Sequence, residues 1–200
     1  MTAQANTVRI IGGRWRGRRL RFPSRPGLRP TPDRVRETLF NWLAAFLPEA
    51  RVLDLFAGSG ALGFEAASRG AREVVLVECD HSVADALRAG AEMLGAEQVH
   101  VVHADAREFL DSVPAPYDIV FVDAPYRYAH HREVCERLDT GWLSEGAFVY
   151  LETASSEAVI AVPAGWELHR ETLAGEVAAR LYRKTGSNVQ DAEYRQEGDL

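Results

Sequence analysis

The chain contains 200 residues, of which 46% are hydrophobic, and its formal net charge at pH 7 is −6. This length suits one domain with a small appendage, which should bury roughly 70% of the surface that the unfolded chain exposes. The chain has no apolar run long enough for a transmembrane helix, and its N-terminus lacks a secretory signal, so we expect a cytoplasmic protein without a membrane partner. The two cysteines, Cys79 and Cys135, lie far apart, and we assign neither a disulfide nor a metal site.

The charge is divided unevenly along the chain. Residues 1–36 contain ten arginines and a single acid, a balance of +9, so the other 164 residues carry −15. A basic arm on an acidic body is typical of a protein that binds a polyanion at one end, although a solvated arginine-rich surface is the alternative. Glycines and Trp15 alternate with these arginines, which would allow close backbone approach and a stacking ring for nucleic acid. The predicted RNA contacts are Arg14, Trp15, Arg16, Arg18, Arg19 and Arg21.

The basic arm begins as a predicted β-hairpin. The segments VRII and RRLRF flank the turn-prone GGRWRG, and PSRPGLRPTP is typical of an extended loop, so residues 1–30 are assigned to an arm with little hydrophobic surface of its own. Thr31 followed by Pro32 predicts a helix N-cap and first helical residue. The helix that follows places its apolar side chains on one face, namely Val35, Leu39, Trp42, Leu43 and Phe46.

From residue 51 onward, short apolar runs alternate with helical segments, which predicts a parallel sheet covered on both faces. The predicted strands are RVLDLF, EVVLVE, VHVVHAD, YDIVFVD and AFVYLE, and the predicted helices span about residues 60–69, 81–94, 105–112 and 130–138. WELHRETL and EVAARLYRK flank Ala174 and Gly175 without a helix between them, so we expect an antiparallel hairpin to end the sheet. These elements predict an α/β domain over residues 31–184, followed by a disordered acidic tail at residues 185–200.

Acids follow four of these strands. Asp54, Glu78, Asp105 and Asp123 stand at or near the carboxyl ends of successive runs, where ligands bind in an open parallel sheet. A single acid in such a place is as consistent with a helix cap as with a ligand contact, and this holds for Asp105 taken alone. Four acids together predict a binding site.

The segment between the first two acids, DLFAGSGALGFEA, carries Gly58, Gly60 and Gly63 in the spacing GxGxxG. This spacing permits a dinucleotide whose pyrophosphate lies at a helix N-terminus. The carboxylate of Asp54 argues against that ligand, because at about 6 Å and an effective dielectric of about 20 it repels each phosphate charge by roughly 3 kcal/mol. S-adenosylmethionine has no phosphate and carries a sulfonium and an ammonium, so we expect it rather than NAD.

The remaining acids complete a predicted methyl-transfer site. Glu78 can accept hydrogen bonds from both ribose hydroxyls, and Asp105 can reach the adenine amine. The carboxylate of Asp123 and the carbonyl of Ala124 can both accept from an exocyclic NH2 group, while Tyr126 can stack on the base that bears it. Two acceptors aimed at the amine hydrogens would favour a pyramidal nitrogen and stabilise the positive charge that develops during transfer. The predicted catalytic residues are Asp123, Ala124, Pro125 and Tyr126.

Several segments together resemble the RsmD family of bacterial methyltransferases, which methylate the N2 amine of one guanine in small-subunit ribosomal RNA. They run in order from about residue 8 to 184 and are RIIGGRWRGRRL, GLRPTPDRVRETLFNWL, LDLFAGSGALGFEAASRGA, FVDAPY and WELHRETLAGEVAARLYR. The resemblance implies a Rossmann-like, seven-stranded, mostly parallel sheet ending in an antiparallel hairpin. It also implies that Thr31 and Arg36 close over the methionine end of the cofactor. The predicted cofactor-binding residues are Thr31, Arg36, Asp54, Phe56, Gly58, Gly60, Glu78, Asp105 and Ala106.

The resemblance implies that S-adenosylmethionine is converted to S-adenosylhomocysteine. The small basic arm favours a monomer, and the sequence shows no obligate protein partner. The expected partner is 16S ribosomal RNA, free or in an assembling small subunit. One residue departs from the family pattern, which is Asp-Pro-Pro followed by Tyr or Phe, because Ala124 replaces the first proline. The backbone carbonyl survives, and one locked φ angle is lost, so we expect an active enzyme with a looser loop, at a loss of about 0.4 to 1 kcal/mol of preorganisation.

Three alternatives to this function remain open from the residues themselves. The Asp-x-Pro-aromatic arrangement also suits methylation of adenine N6 in DNA. A decayed catalytic loop would leave a ribosomal RNA-binding assembly factor. The glycine spacing taken alone would also permit a nicotinamide-dependent oxidoreductase.

Overall fold

The computed structural model describes residues 6–25, 31–125 and 130–186. Its strands are β1 (Asn6–Arg9), β2 (Arg19–Phe22), β3 (Arg51–Asp54), β4 (Glu73–Glu78), β5 (Val99–His103), β6 (Tyr117–Val122), β7 (Leu143–Ala154), β8 (Trp166–Ala174) and β9 (Val177–Lys184). Its helices are α1 (Asp33–Trp42), α2 (Ala61–Ser68), α3 (His81–Leu94), α4 (Ala106–Leu110) and α5 (His131–Asp139). Among the described residues, no helix has the length and apolar character that crossing a membrane requires. Tyr126 and the tail beyond residue 186 lie outside the described residues.

Seven strands form one sheet in the order β5-β4-β3-β6-β7-β9-β8. The five strands from β5 to β7 in this order are parallel, whereas β9 runs antiparallel to both of its neighbours, β7 and β8. The predicted α/β class and the antiparallel hairpin at the end of the sheet are confirmed. β3 lies between β4 and β6, so successive strands are added on one side of β3 and then on the other. An open α/β sheet binds ligands in the crevice at the point where the strand order reverses in this way.

Side chains alternate between the two faces of this sheet. Val52 and Phe121 belong to the cluster that includes α1, α2 and α3, whereas Leu53 and Val120 belong to the cluster that includes α4 and α5. Because successive residues of a strand point to opposite faces, runs that are apolar at every position are buried on both sides. The continuous apolar strands in the sequence are explained by this two-sided cover.

The N-terminal hairpin is part of the first of these cores, and the expectation that it has little hydrophobic surface of its own is wrong. β1 and β2 pair antiparallel, with Val8 opposite Leu20 on the buried face and Arg9 opposite Arg19 on the exposed face. The turn between them packs against α2, all of whose residues are buried. A helix without an exposed face needs cover on every side, and the hairpin supplies it for the side of α2 that faces away from the sheet.

The first helix begins later than the sequence predicts. Its N-cap is Pro32 and no side chain caps it, so the prediction that Thr31 is the N-cap is wrong. The hydroxyl of Thr31 has a partner elsewhere, which is described with the site below. The predicted apolar face is buried at Val35, Leu39 and Leu43, whereas Phe46 is 44% exposed.

Candidate active site

The predicted acids lie at one edge of the sheet. Asp54 ends β3, Glu78 ends β4, and Asp123 follows β6 directly, so all three stand at the strand-order reversal. Asp105 follows β5 by two residues, further along the same edge. The structure therefore brings together residues that are up to 69 positions apart in the sequence.

Asp54 is the most deeply buried of these acids, at 1% exposure. Its Oδ2 accepts a hydrogen bond from the backbone N–H of Gly63 at 3.0 Å, whereas Oδ1 is buried with no hydrogen-bond partner of good geometry among the described residues. Burial, followed by the charges of Asp123 and Glu78, raises the pKa of Asp54 to about 7, and the N–H groups of Gly63 and Phe56 offset only part of this rise. A buried carboxylate with few donors and two other acids beside it is suited to a cationic ligand.

The glycine loop after β3 is held against Glu78. Gly58 and Gly60 have φ angles of 50° and 75°, in the left-handed region that side chains disfavour. The N–H of Gly58 donates to Oε2 of Glu78 at 2.9 Å, and the N–H of Asp80 donates to Oε1 at 2.7 Å. Oε1 also accepts a weak hydrogen bond from the thiol of Cys79 at 3.6 Å. Oε2 keeps a second lone pair, and a hydroxyl group is a stronger donor than this thiol, so Glu78 can still accept from ribose hydroxyls.

Gly63 has a packing role in the same segment. A Cβ atom at this position would lie 2.1 Å from Cδ2 of Leu76 and 3.2 Å from Oδ2 of Asp54. The third glycine of the motif therefore allows α2 to approach the sheet closely enough for its backbone to bind Asp54. Phe56, in the loop between β3 and α2, is half-buried.

Asp105 caps a helix in this structure. Its Oδ1 accepts from the N–H of Arg107 at 2.9 Å, at the start of α4, where Ala106 is buried. Asp105 therefore acts as a helix cap, which is one of the two roles that its position in the sequence permits. A contact from Asp105 or Ala106 to the adenine of a cofactor stays a prediction.

Asp123 is held by a residue 92 positions away. The hydroxyl of Thr31 donates to its Oδ2 at 2.8 Å, immediately before α1. Burial raises the pKa of Asp123, and the hydrogen bond from Thr31 offsets part of the rise. Ala124 is 3% exposed, Pro125 is exposed, and Tyr126 lies outside the described residues.

A further buried acid, Glu152, stands beside Asp123 and was not among the predicted site residues. Val122 pairs with Leu151 between β6 and β7, so Asp123 and Glu152 follow as the next two residues of neighbouring parallel strands. Glu152 is 4% exposed, and its Oε2 accepts from the hydroxyl of Tyr150 at 2.7 Å. Burial and the charge of Asp123 raise its pKa. The run AFVYLE carries the same signal as the other strands, an acid at the end of an apolar run.

Arg36 lies in the joint between the arm and the body. It is 1% exposed, donates to the carbonyl of Arg9 at 3.0 Å and to Oδ1 of Asp33 at 2.6 Å, and lies 4.0 Å from Glu65. These partners satisfy part of the guanidinium, whose Nε is buried without a hydrogen-bond partner among the described residues. A contact between Arg36 and the methionine end of a cofactor stays a prediction.

Glu65 anchors the arm and was also missed from the sequence. It is fully buried on α2 and accepts from the backbone N–H groups of Ile11 and Gly12, both at 2.7 Å, and from Nε of Arg69 at 2.7 Å. Ser68, one turn later, accepts from the N–H of Trp15 at 2.9 Å. The polar side chains of α2 therefore bind the hairpin instead of facing water.

The arginines of the arm and its tryptophan differ in exposure. Arg14, Arg16, Arg18, Arg19 and Arg21 are all exposed. Trp15 is 6% exposed within the core, so the prediction that it offers a stacking ring to nucleic acid is wrong. The close approach that Gly13 permits is to α2, since a Cβ atom there would lie 1.9 Å from the carbonyl oxygen of Ser68.

Similar proteins cover nearly the whole chain. A protein-family model described as Conserved hypothetical protein 95 matches residues 8–183. Ribosomal RNA small subunit methyltransferase D of Escherichia coli strain K12 is 49% identical over 187 residues, covering 93% of this chain and 94% of that protein. The protein of the same name from Haemophilus influenzae is 41% identical over 181 residues, covering 88% and 93% of the two chains. The solved structure of yhhF from Escherichia coli has a TM-score of 0.85 at 46% identity and covers 90% of this chain and 99% of that one.

Proposed function

Since the chain belongs to the RsmD family of ribosomal RNA small subunit methyltransferases, we propose that it transfers a methyl group from S-adenosylmethionine to the exocyclic N2 amine of a guanine in 16S ribosomal RNA. The observation on which this proposal chiefly rests is the position of Asp123. Its carboxylate stands at the end of β6, is held by Thr31 at 2.8 Å, and lies close enough to buried Asp54 to raise the pKa of that group. An amine acceptor and a cation site are thus adjacent.

The residues around the glycine loop fit S-adenosylmethionine. The carboxylate of Asp54 is buried near two other acids, and its Oδ1 has no hydrogen bond of good geometry among the described residues, which suits the ammonium of the methionine moiety. Glu78 is fixed by Gly58 with acceptors to spare for the ribose hydroxyls. S-adenosylmethionine, when bound, supplies an electrophilic methyl group on its sulfonium. A dinucleotide would instead bring two phosphate charges toward Asp54, Asp123 and Glu152.

Asp123 acts on the amine in this proposal. The lone pair of guanine N2 is delocalised into the ring, so the nitrogen is a weak nucleophile. Acceptance of its hydrogens by Oδ1 of Asp123 and by the carbonyl of Ala124 favours a pyramidal nitrogen and stabilises the charge formed as the new N–C bond closes. The surplus proton then leaves the nitrogen toward the carboxylate of Asp123. Thr31 orients this carboxylate by occupying Oδ2.

The exposed arginines of the arm bind the RNA backbone in this proposal. Contacts between arginine and phosphate supply affinity that does not depend on sequence and that weakens as salt rises. The target guanine must be unpaired or turned out of a helix to reach Asp123. We expect the protein to act as a monomer in the cytoplasm on 16S ribosomal RNA, free or within an assembling small subunit.

Nucleoside mass spectrometry tests this function. Small subunits from cells that lack the protein are incubated with S-adenosylmethionine and either the wild type or Asp123→Ala, then digested to nucleosides. New N2-methylguanosine with the wild type alone is the expected result. Methylated adenine, or no product on subunits and on stripped RNA, would contradict the proposal.

A further inference from the structure

A cavity of about 360 Å³ lies between the hairpin and the start of α1. Arg9 and Arg19 line it from the exposed face of the hairpin, and Thr31, Pro32 and Asp33 line it from the other side. The position of Thr31 ties this cavity to the site, because the same residue donates its hydroxyl to Asp123. One residue thus separates the cavity from the carboxylate at the end of β6.

The charges around the cavity favour an anion. Arg9 and Arg19 are directly opposite each other in the β1–β2 pair, an arrangement of like charges that is destabilising in a sheet. Asp33 offsets only one of them, since it lies 3.3 Å from Arg9 and also binds buried Arg36 at 2.6 Å. Among the residues that the structure describes, Arg19 has no ion pair. A positive charge therefore remains for a ligand to neutralise.

We propose that this cavity binds the phosphodiester group next to the target guanosine, with Arg9 and Arg19 as its ligands. This inference rests on the function proposed above and assigns to the cavity a role in placing the substrate. Arginine binds phosphate oxygens through paired N–H groups, which fixes geometry as well as adding affinity. A phosphate held beside Thr31 would limit the positions that the attached base can take and would direct its amine toward Asp123.

The inference separates two kinds of arginine on the hairpin. Arg19 lines the cavity, whereas Arg16, in the exposed turn of the same hairpin, does not. Both substitutions to alanine remove one positive charge, so they are matched in their effect on long-range attraction. Arg16→Ala should reduce the salt dependence of RNA binding by about one unit of slope without a preference for any one phosphate. Arg19→Ala should affect one particular linkage.

A thermodynamic cycle on RNA binding tests this difference. The probe is an RNA fragment around the methylated guanine, made with a normal linkage or with a neutral methylphosphonate on the 5′ or the 3′ side of that guanine. Dissociation constants are measured with S-adenosylhomocysteine present for the wild type, Arg19→Ala and Arg16→Ala. One of the two neutral linkages should weaken wild-type binding about tenfold, as expected for a lost charge-assisted hydrogen bond. It should weaken binding less in Arg19→Ala, where Arg9 alone remains to bind the phosphate, while Arg16→Ala keeps the full sensitivity.

Several outcomes would overturn the inference. If Arg19→Ala and Arg16→Ala are equally sensitive at both linkages, the cavity does not hold that phosphate. If Arg19→Ala instead weakens S-adenosylmethionine binding, the cavity serves the carboxylate of the cofactor. Thermal unfolding of both variants checks the fold. Arg16→Ala should match the wild type because its side chain is exposed, and Arg19→Ala should match or slightly exceed it because the repulsion between Arg9 and Arg19 is removed. The cycle could show coupling between Arg19 and one linkage while the wild type forms no N2-methylguanosine in the nucleoside assay. That result would support phosphate binding in the cavity and reject the proposed function.

Discussion

Buried acids at two places in this chain have very different surroundings. Glu65, beneath the arm, accepts hydrogen bonds from two backbone N–H groups and from Arg69. Asp54, at the edge of the sheet, has an oxygen without a good donor, and its neighbours Asp123 and Glu152 are also acids. An acid whose donors come from the protein holds the fold together, whereas acids placed side by side with unused acceptors indicate a site for a ligand.

Among variants that test this comparison, Asp123→Asn should have the largest effect, which is on the rate of methyl transfer. The change keeps the shape of the side chain and removes the negative charge that stabilises the methylated amine, so the rate should fall on the order of 10³-fold. Thermal stability should not fall, since the variant relieves repulsion among the three acids. Single-turnover methyl transfer and a thermal melt measure the two quantities. A rate within tenfold of the wild type would show that Asp123 is not the amine acceptor.

Glu65→Ala should lower the stability of the fold, whereas Asp123→Asn should lower the rate of methyl transfer. The variant leaves the N–H groups of Ile11 and Gly12 without an acceptor and Arg36 buried without its nearest buried acid, so the free energy of unfolding should fall by about 3 kcal/mol. Urea denaturation measures this change. Glu92→Ala, at an exposed position of α3, is the matched control and should change the free energy of unfolding by less than about 0.5 kcal/mol. Equal losses in the two variants would remove the anchoring role of Glu65.

The pH dependence of methyl transfer should separate the neighbours of Asp123. Its carboxyl must be ionised to accept from the amine, so the rate should fall as pH decreases through its raised pKa, at a higher pH than for an ordinary Asp. Thr31→Val removes a donor that lowers this pKa, so the acid limb should move to higher pH. Glu152→Gln should leave the limb nearly in place, because burial and the charge of Asp123 raise the pKa of Glu152 to about 8, so its carboxyl is neutral where Asp123 titrates. The shift in Thr31→Val should be up to about one unit, the equivalent of ~1.4 kcal/mol.

The different responses expected of Thr31→Val and Glu152→Gln make this pair of variants informative. Thr38→Val is the control for Thr31→Val, because the hydroxyl of Thr38 donates to a carbonyl within α1 at 3.0 Å and should leave the profile unchanged. No shift in Thr31→Val, or an equal shift in Thr31→Val and Glu152→Gln, would contradict the role of the Thr31 hydroxyl in setting the charge of Asp123.

The smallest effect should come from Ala124→Pro, which restores the family pattern. Proline fixes one backbone angle before the transfer step, so the rate should stay the same or rise by a few fold, in line with about 0.4 to 1 kcal/mol. Steady-state rates at saturating RNA and S-adenosylmethionine check this expectation. A lower rate would contradict the idea that the substitution loosens the loop.

The strands and helices of the body were predictable because their signal is local. The parallel strands are apolar at nearly every position, and glycines or caps mark where helices such as α3 end, so the predicted and observed bounds agree closely. The positions of Asp54, Glu78 and Asp123 at one edge follow from the same pattern, since parallel strands place their carboxyl ends together.

The contacts between distant segments were not predictable from local pattern. Trp15 among arginines resembles a stacking ring for RNA, and its burial depends on α2, which lies more than 45 residues away. Thr31 before Pro32 resembles an N-cap, and its bond to Asp123 joins two residues that are 92 positions apart in the sequence. The burial of Glu65 has the same origin. One signal was available, since ALGFEAAS has almost no polar face and therefore requires cover on all sides.

Calorimetric titration of S-adenosylmethionine into the wild type and Asp54→Asn tests most directly whether the acids with unused acceptors bind the ligand. Asparagine can still accept from the N–H of Gly63, so the fold of the loop is kept while the charge is removed. The variant should bind at least about tenfold more weakly, because the ammonium would lose its buried counter-charge. Equal affinity in the two proteins would contradict the assignment of these acids to the cofactor site.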